Sequence, residues 1–247
     1  MRFGRLFRWD LRFQARYGFY LLYGFLTTFY ALVLFALPES WKGKMAIILI
    51  FSDPAAMGLF FMGAIVLLEK SQKVTSFLAV TPMKAREYVW SKVLSLCTIS
   101  LVVAAVLAII AGHRHILLLI MGTFLASVIF TLCGIIVATK INSLNQFILF
   151  TVPIEMLGFI PAILHLFGVG VFSGRNLISA DGGLNPVMLL AIWVDRVYPA
   201  NVCMDLVMGE VPSIVGLLVT GLTIALLTWG ANKSVLKLWQ EQGGIKL

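Results

Sequence analysis

The side chains of this 247-residue chain that could do chemistry fall into three groups. Glu155 stands alone in a long apolar run, between Pro153 and Pro161. A charge at the centre of a bilayer costs about 2.5 kcal/mol or more. Glu155 therefore either lines a pathway, as a proton relay or a contact for a cationic or polar substrate, or is held protonated or paired for structure. His113 and His115 flank Arg114 in a short polar turn, and His165 lies near the end of the run that carries Glu155. Two histidines without further ligands make a poor zinc site, so no metal is expected; His165 is expected to be a hydrogen-bonded interface residue. The third group is the interval from Glu69 to Lys92, the one long charged stretch inside an apolar chain. A polar, basic, helix-forming segment between two lipid-embedded spans is suited to receiving force from a soluble partner.

Bond-making chemistry has little support. No G-x-x-x-x-G-K-[ST] occurs, so any ATP that drives the chain is bound by another polypeptide. H-E-x-x-H and G-x-S-x-G are absent too, and the few intramembrane polar groups assemble no nucleophile, base and stabiliser. Cys97, Cys133 and Cys203 are dispersed without a C-x-x-C spacing, which implies neither a disulfide framework nor a metal site.

The elements that must position these residues are membrane helices. The chain is 60% hydrophobic and 12% charged, with a mean hydropathy of +0.98, far from the roughly 25% charge of a soluble domain. Apolar runs approaching the roughly 20 residues that cross a bilayer predict helices, not barrel strands. Spans are expected over 17–37, 93–111, 116–138, 147–167 and 212–231. One more lies between 46 and 68, interrupted by Ser52-Asp53-Pro54, where an Asp cap and a first-turn Pro signal a helix start. The whole chain, 1–247, is one all-α transmembrane domain with six spans. Its outer connection, 168–211, holds the short apolar piece Val187–Val194, expected to form re-entrant or outer helices before the last span.

Before the first span, Arg2, Arg5, Arg8, Arg12 and Arg16 share one side of a helix over 1–16, opposite Phe3, Leu6, Phe7, Leu11, Phe13 and Tyr17. That is an interfacial amphipathic helix, with Asp10 as the one blemish on its apolar side. This basic opening lacks a small-residue cleavage site, so the first span is expected to stay as an anchor. With both termini cytoplasmic, fourteen of the 19 Lys and Arg fall inside, as the positive-inside rule requires. The same rule accounts for the net charge of +8 without nucleic acid as a partner. The six tryptophans lie near span ends or in flanking segments, where the aromatic belt forms.

Within 69–92, Thr81-Pro82 predicts a helix start running through Lys92 into the third span. The turn there presents Phe77 and Leu78 beside Lys70, Lys73, Lys84 and Arg86. This stretch resembles the cytoplasmic loop of type-2 ABC exporter permeases. The carriers of the resemblance are Glu69-Lys70, Phe77-Leu78, Thr81-Pro82 and Lys92; Lys73-Val74 stands where a Gly-Thr pair is common. The layout of the chain is similar as well. What the resemblance implies is a permease subunit that pairs with a second one, as a homo- or heterodimer, and docks two ABC ATPase subunits. Docking would use the interfacial helix (Arg5, Arg8, Arg12, Arg16) and the coupling loop, with ATP and Mg on the ATPases and no cofactor on this chain. Its place is the cell membrane, and its substrate an amphiphilic small molecule, peptide or lipid-linked molecule. A proton-coupled secondary transporter working through Glu155, or a non-transporting scaffold, are the alternatives.

Overall fold

A backbone that leaves water must satisfy its own hydrogen bonds, and an apolar chain does so as helices. In the computed structural model, which describes residues 2–53, 58–79, 81, 83–168 and 193–243, every regular element is a helix. They are α1 (Arg2–Arg16), α2 (Phe19–Ala36), α3 (Glu39–Ser52), α4 (Leu59–Ser71), α5 (Val74–Ala79) and α6 (Ala85–Ile110). There follow α7 (Ile116–Lys140), α8 (Leu144–Phe167), α9 (Pro199–Met208) and α10 (Ile214–Gly243). Residues 193–197 add a helical turn before α9. The expected piece Val187–Val194 lies mostly outside the described residues, as do Pro54, Val80 and Pro82.

Five helices, α2, α6, α7, α8 and α10, are long and apolar enough to cross a membrane. The sixth expected span is divided between α3, of 14 residues, and α4, of 13. Asp53 does not open a new helix there. Its dihedrals stay helical (φ −61°, ψ −56°) and its N–H bonds Leu49 O, so it extends the α3 ladder while its side chain is buried. Beyond residue 231, the expected end of the last span, the chain stays helical, because α10 continues to Gly243. Its final turns bury Val235, Leu238 and Trp239 at helical spacing; α10 packs against α5, and Trp239 stands edge-on to Tyr88 of α6 at 5.8 Å.

The core centres on α7, which packs against α4, α6, α9 and α10. Small residues let the backbones approach, as membrane packing requires. A Cβ on Gly122 would lie 2.6 Å from Cys203 O of α9, and one on Gly134 would lie 2.9 Å from Leu59 O of α4. Facing outward, Leu21, Phe25, Phe29, Leu32 and Phe35 of α2 form an exposed apolar stripe suited to lipid. Pro153 and Pro161 lie inside α8 without ending it, a tolerance typical of membrane helices.

Candidate functional site

At one end of the bundle the chain leaves α4, makes the six-residue helix α5 and re-enters as α6, forming an elbow with α1 laid across its base. Lys92 is the pivot of that base. Its ammonium bonds Asp10 Oδ1 of α1 at 2.5 Å and Glu69 Oε1 of α4. Ser91 donates to the other oxygen of Asp10, and Tyr88 to the other oxygen of Glu69 at 2.6 Å. The rings of Trp9, Phe13 and Tyr88 stand within 6 Å of the ammonium, which adds cation–π attraction. One turn further along α6, Gln14 donates to Ser95 Oγ at 2.8 Å, a second tie between α1 and α6.

All three charged groups of this cluster are almost fully buried, at 0–1% exposure. Buried charges survive only when paired and hydrogen-bonded. That requirement explains Asp10: the acidic residue on the apolar side of α1 is the group that docks the helix. Glu69 and Lys92, expected on the docking surface, face one another instead and cannot touch a soluble partner. Lys70 is committed as well. Its ammonium reaches Ala138 O at 3.0 Å, Thr139 O at 3.0 Å and Ile141 O at 2.6 Å, capping the carbonyl end of α7, where a cation complements the helix dipole.

What remains free is the tip. Phe77 is 70% exposed; Lys73, Lys84 and Arg86 are exposed and Leu78 is half-buried. Arg5, Arg8, Arg12 and Arg16 are exposed along α1. The expected helix start at Thr81-Pro82 is displaced: α6 begins at Ala85, and Glu87 Oε2 accepts from the Lys84 N–H at 3.2 Å. Thr81 turns back instead, its hydroxyl donating to Leu78 O at 2.7 Å. Glu at the third helical position outcompetes the Thr cap because it satisfies the orphan N–H that precedes the helix.

Lys73 has φ 56°, the left-handed region, where a side chain costs about 1–2 kcal/mol. A Gly-Thr pair is common at this position in the loops that 69–92 resembles, and the change of direction between α4 and α5 favours glycine here. Lys73→Gly is expected to raise thermal stability by about 1 kcal/mol; an unchanged or lowered unfolding midpoint would count against strain at this corner.

Glu155 sits partly exposed on α8 and makes no hydrogen bond or ion pair among the described residues. It lies one turn before Phe159, whose ring stacks on Phe51 of α3 at 6.2 Å, so it shares the face of α8 directed at the end of α3. At the end of the bundle opposite α1, His165 is hydrogen-bonded as expected. Its Nδ1 lies 3.0 Å from Asp195 and its Nε2 2.7 Å from Asp205 Oδ1. Asn201 also donates to Asp195 Oδ1, at 2.7 Å. A carboxylate at each ring nitrogen is best satisfied by a doubly protonated ring. The cluster binds the turn at 193–197 and α9 to α8. Asp195 and Asp205 escape a sequence reading because they sit 30 and 40 residues from the histidine they hold.

Two relatives in Mycobacterium tuberculosis are similar to this chain in sequence, the fluoroquinolones export permease proteins of strains CDC 1551 / Oshkosh and ATCC 25618 / H37Rv. Each is 28% identical over 193 residues, which covers 77% of this chain and 80% of the relative. Among the described residues, an all-helical bundle with five helices long and apolar enough to cross a membrane and an elbow between α4 and α6 fits a permease, and a family match agrees. Residues 1–227 match the fluoroquinolones export permease protein family, and the chain belongs to it.

Proposed function

We propose that this chain is the membrane-spanning subunit of an ATP-driven exporter. Two permease subunits, identical or related, form an alternating-access pathway, and two ABC ATPases dock beneath them. The observation that carries the proposal is the division of labour in the elbow. Its base, Asp10–Lys92–Glu69, is a buried cluster tying α1, α4 and α6 together. Its tip, with Phe77, Lys84 and Arg86, is exposed. A push on such a tip moves three helices as one body instead of bending a loop. On this reading α3 and α4 together make the second of six crossings, both termini and the elbow face the cytoplasm, and ATP and Mg belong to the partner subunits. The relatives' printed names make a fluoroquinolone the first amphiphile to test. An apolar cavity of about 370 Å³ between α7, α8, α9 and α10, lined in part by Phe130, Leu157, Tyr198 and Thr223, lies in the size range of small-molecule sites.

The purified chain alone is expected to hydrolyse no ATP and to gain turnover only with a copurified ATPase. ATP turnover by the isolated polypeptide, surviving removal of contaminants, would overturn the proposal. A second reading, proton-coupled transport, is favoured by one observation: Glu155 has no hydrogen-bond or ion-pair partner among the described residues and lies in a helix long and apolar enough to cross a membrane.

A further inference from the structure

At the end of the bundle opposite α1, a cavity of about 270 Å³ opens between α3 and the α6–α7 turn. Its floor is apolar, with Ala46, Ile47 and Ile50 from one face of α3 and Leu119 from α7. Its rim is basic: His113, Arg114 and His115 stand together, and no carboxylate lines the cavity among the described residues. Gly112 makes this possible, because its φ of 66° reverses the chain at once. The His113 N–H then closes α6 on Ala108 O at 2.9 Å.

Two rim groups lack partners among the described residues. His113 Nε2 is buried with no hydrogen bond, a state that native structures avoid unless water or a ligand meets the atom. Arg114 is exposed and makes no hydrogen bond or ion pair among those residues. His115 begins α7 without a side-chain cap, so the first N–H groups of α7 add partial positive charge beside the rim.

We propose that this cavity binds the acidic head of an amphiphile, a carboxylate or a phosphate. Arg114 donates to the oxyanion while the apolar body lies on Ile47 and Ile50. A guanidinium is matched to such heads by its forked donors, and the floor has nothing polar to offer a hydrophilic ligand. The head can come from an exported amphiphile or from a membrane lipid; the first source rests on the export function, and the second does not.

The test is calorimetric titration of the full chain in a detergent with an uncharged head, using a fluoroquinolone, its methyl ester and a short-chain phosphatidic acid. The free acid is expected to bind at least about tenfold more tightly than the ester, because only it accepts charge-assisted bonds. Arg114→Gln should remove that difference and leave the ester unchanged. Gly43 lines the mouth, and a Cβ there meets no atom within 4 Å. Gly43→Leu should therefore weaken acid and ester alike while the unfolding midpoint is kept or raised. Phosphatidic acid binding that depends on Arg114 identifies the lipid source, and its absence beside tight acid binding identifies the exported one. Acid and ester binding alike, insensitivity to Arg114→Gln or Gly43→Leu, or no binding of any of the three ligands would overturn the site. No nucleotide or partner enters the titration, so its failure leaves the ATP-driven function untouched.

Discussion

Replacing Lys92 by alanine is expected to destabilise the protein by about 3–5 kcal/mol and to release α1 from the elbow. The substitution removes the one cation between Asp10 and Glu69, leaving two buried carboxylates facing each other without a counter-charge. Burial this complete admits no solvent to screen them. Asp10→Asn, Glu69→Gln and Lys92→Met combined should recover most of the loss, since replacing all the charged partners together avoids the unpaired charge. Thermal unfolding in detergent and protease access to the α1–α2 junction check both statements. An unchanged midpoint for Lys92→Ala would mean that the cluster does not hold the base.

Substitutions at the tip should have the opposite profile. Phe77→Ala, or Lys84→Glu with Arg86→Glu, is expected to lower export tenfold or more while the unfolding midpoint shifts little. These side chains are exposed and pack against little of their own chain, and surface changes away from caps and cores usually stay within about 0.5 kcal/mol. On the proposed reading, a soluble partner docks on the apolar area and charge of this tip. Export at the unmodified rate in these variants, at equal abundance in the membrane, would reduce the elbow to a topological loop.

The contrast between base and tip marks where the sequence stops being legible. Crossing helices and the amphipathic α1 are visible because both are local: a run of apolar residues, or a period of 3.6, is written within one segment. The tip is visible for the same reason. The base is not, because Asp10 meets its partners across 81 and 82 residues of chain, and one-dimensional spacing does not say which charge is buried with which. Asp10 was nevertheless a usable signal. A carboxylate on the apolar side of an interfacial helix demands a buried cation, and Lys92, at the membrane end of a charged interval, was a candidate. The α6 start is a subtler case. Thr81-Pro82 and Lys84 with Glu87 are both plausible starts locally, and the latter wins where Ala85 and Tyr88 can be buried against the bundle.

Export driven by ATP on partner subunits is the central claim, and uptake into sealed inverted vesicles tests it most directly. The vesicles carry the chain, as wild type or Glu155→Gln, with the proposed ABC ATPase partner, and receive one cationic and one neutral amphiphile, with ATP and with an uncoupler. The expected result is ATP-dependent uptake that resists the uncoupler. If Glu155 lines the proposed pathway, Glu155→Gln is expected to lower uptake of the cation more than that of the neutral compound, because it removes a carboxylate that has no partner among the described residues. Uptake driven by a proton gradient without ATP, and abolished for both compounds by Glu155→Gln, would contradict the account.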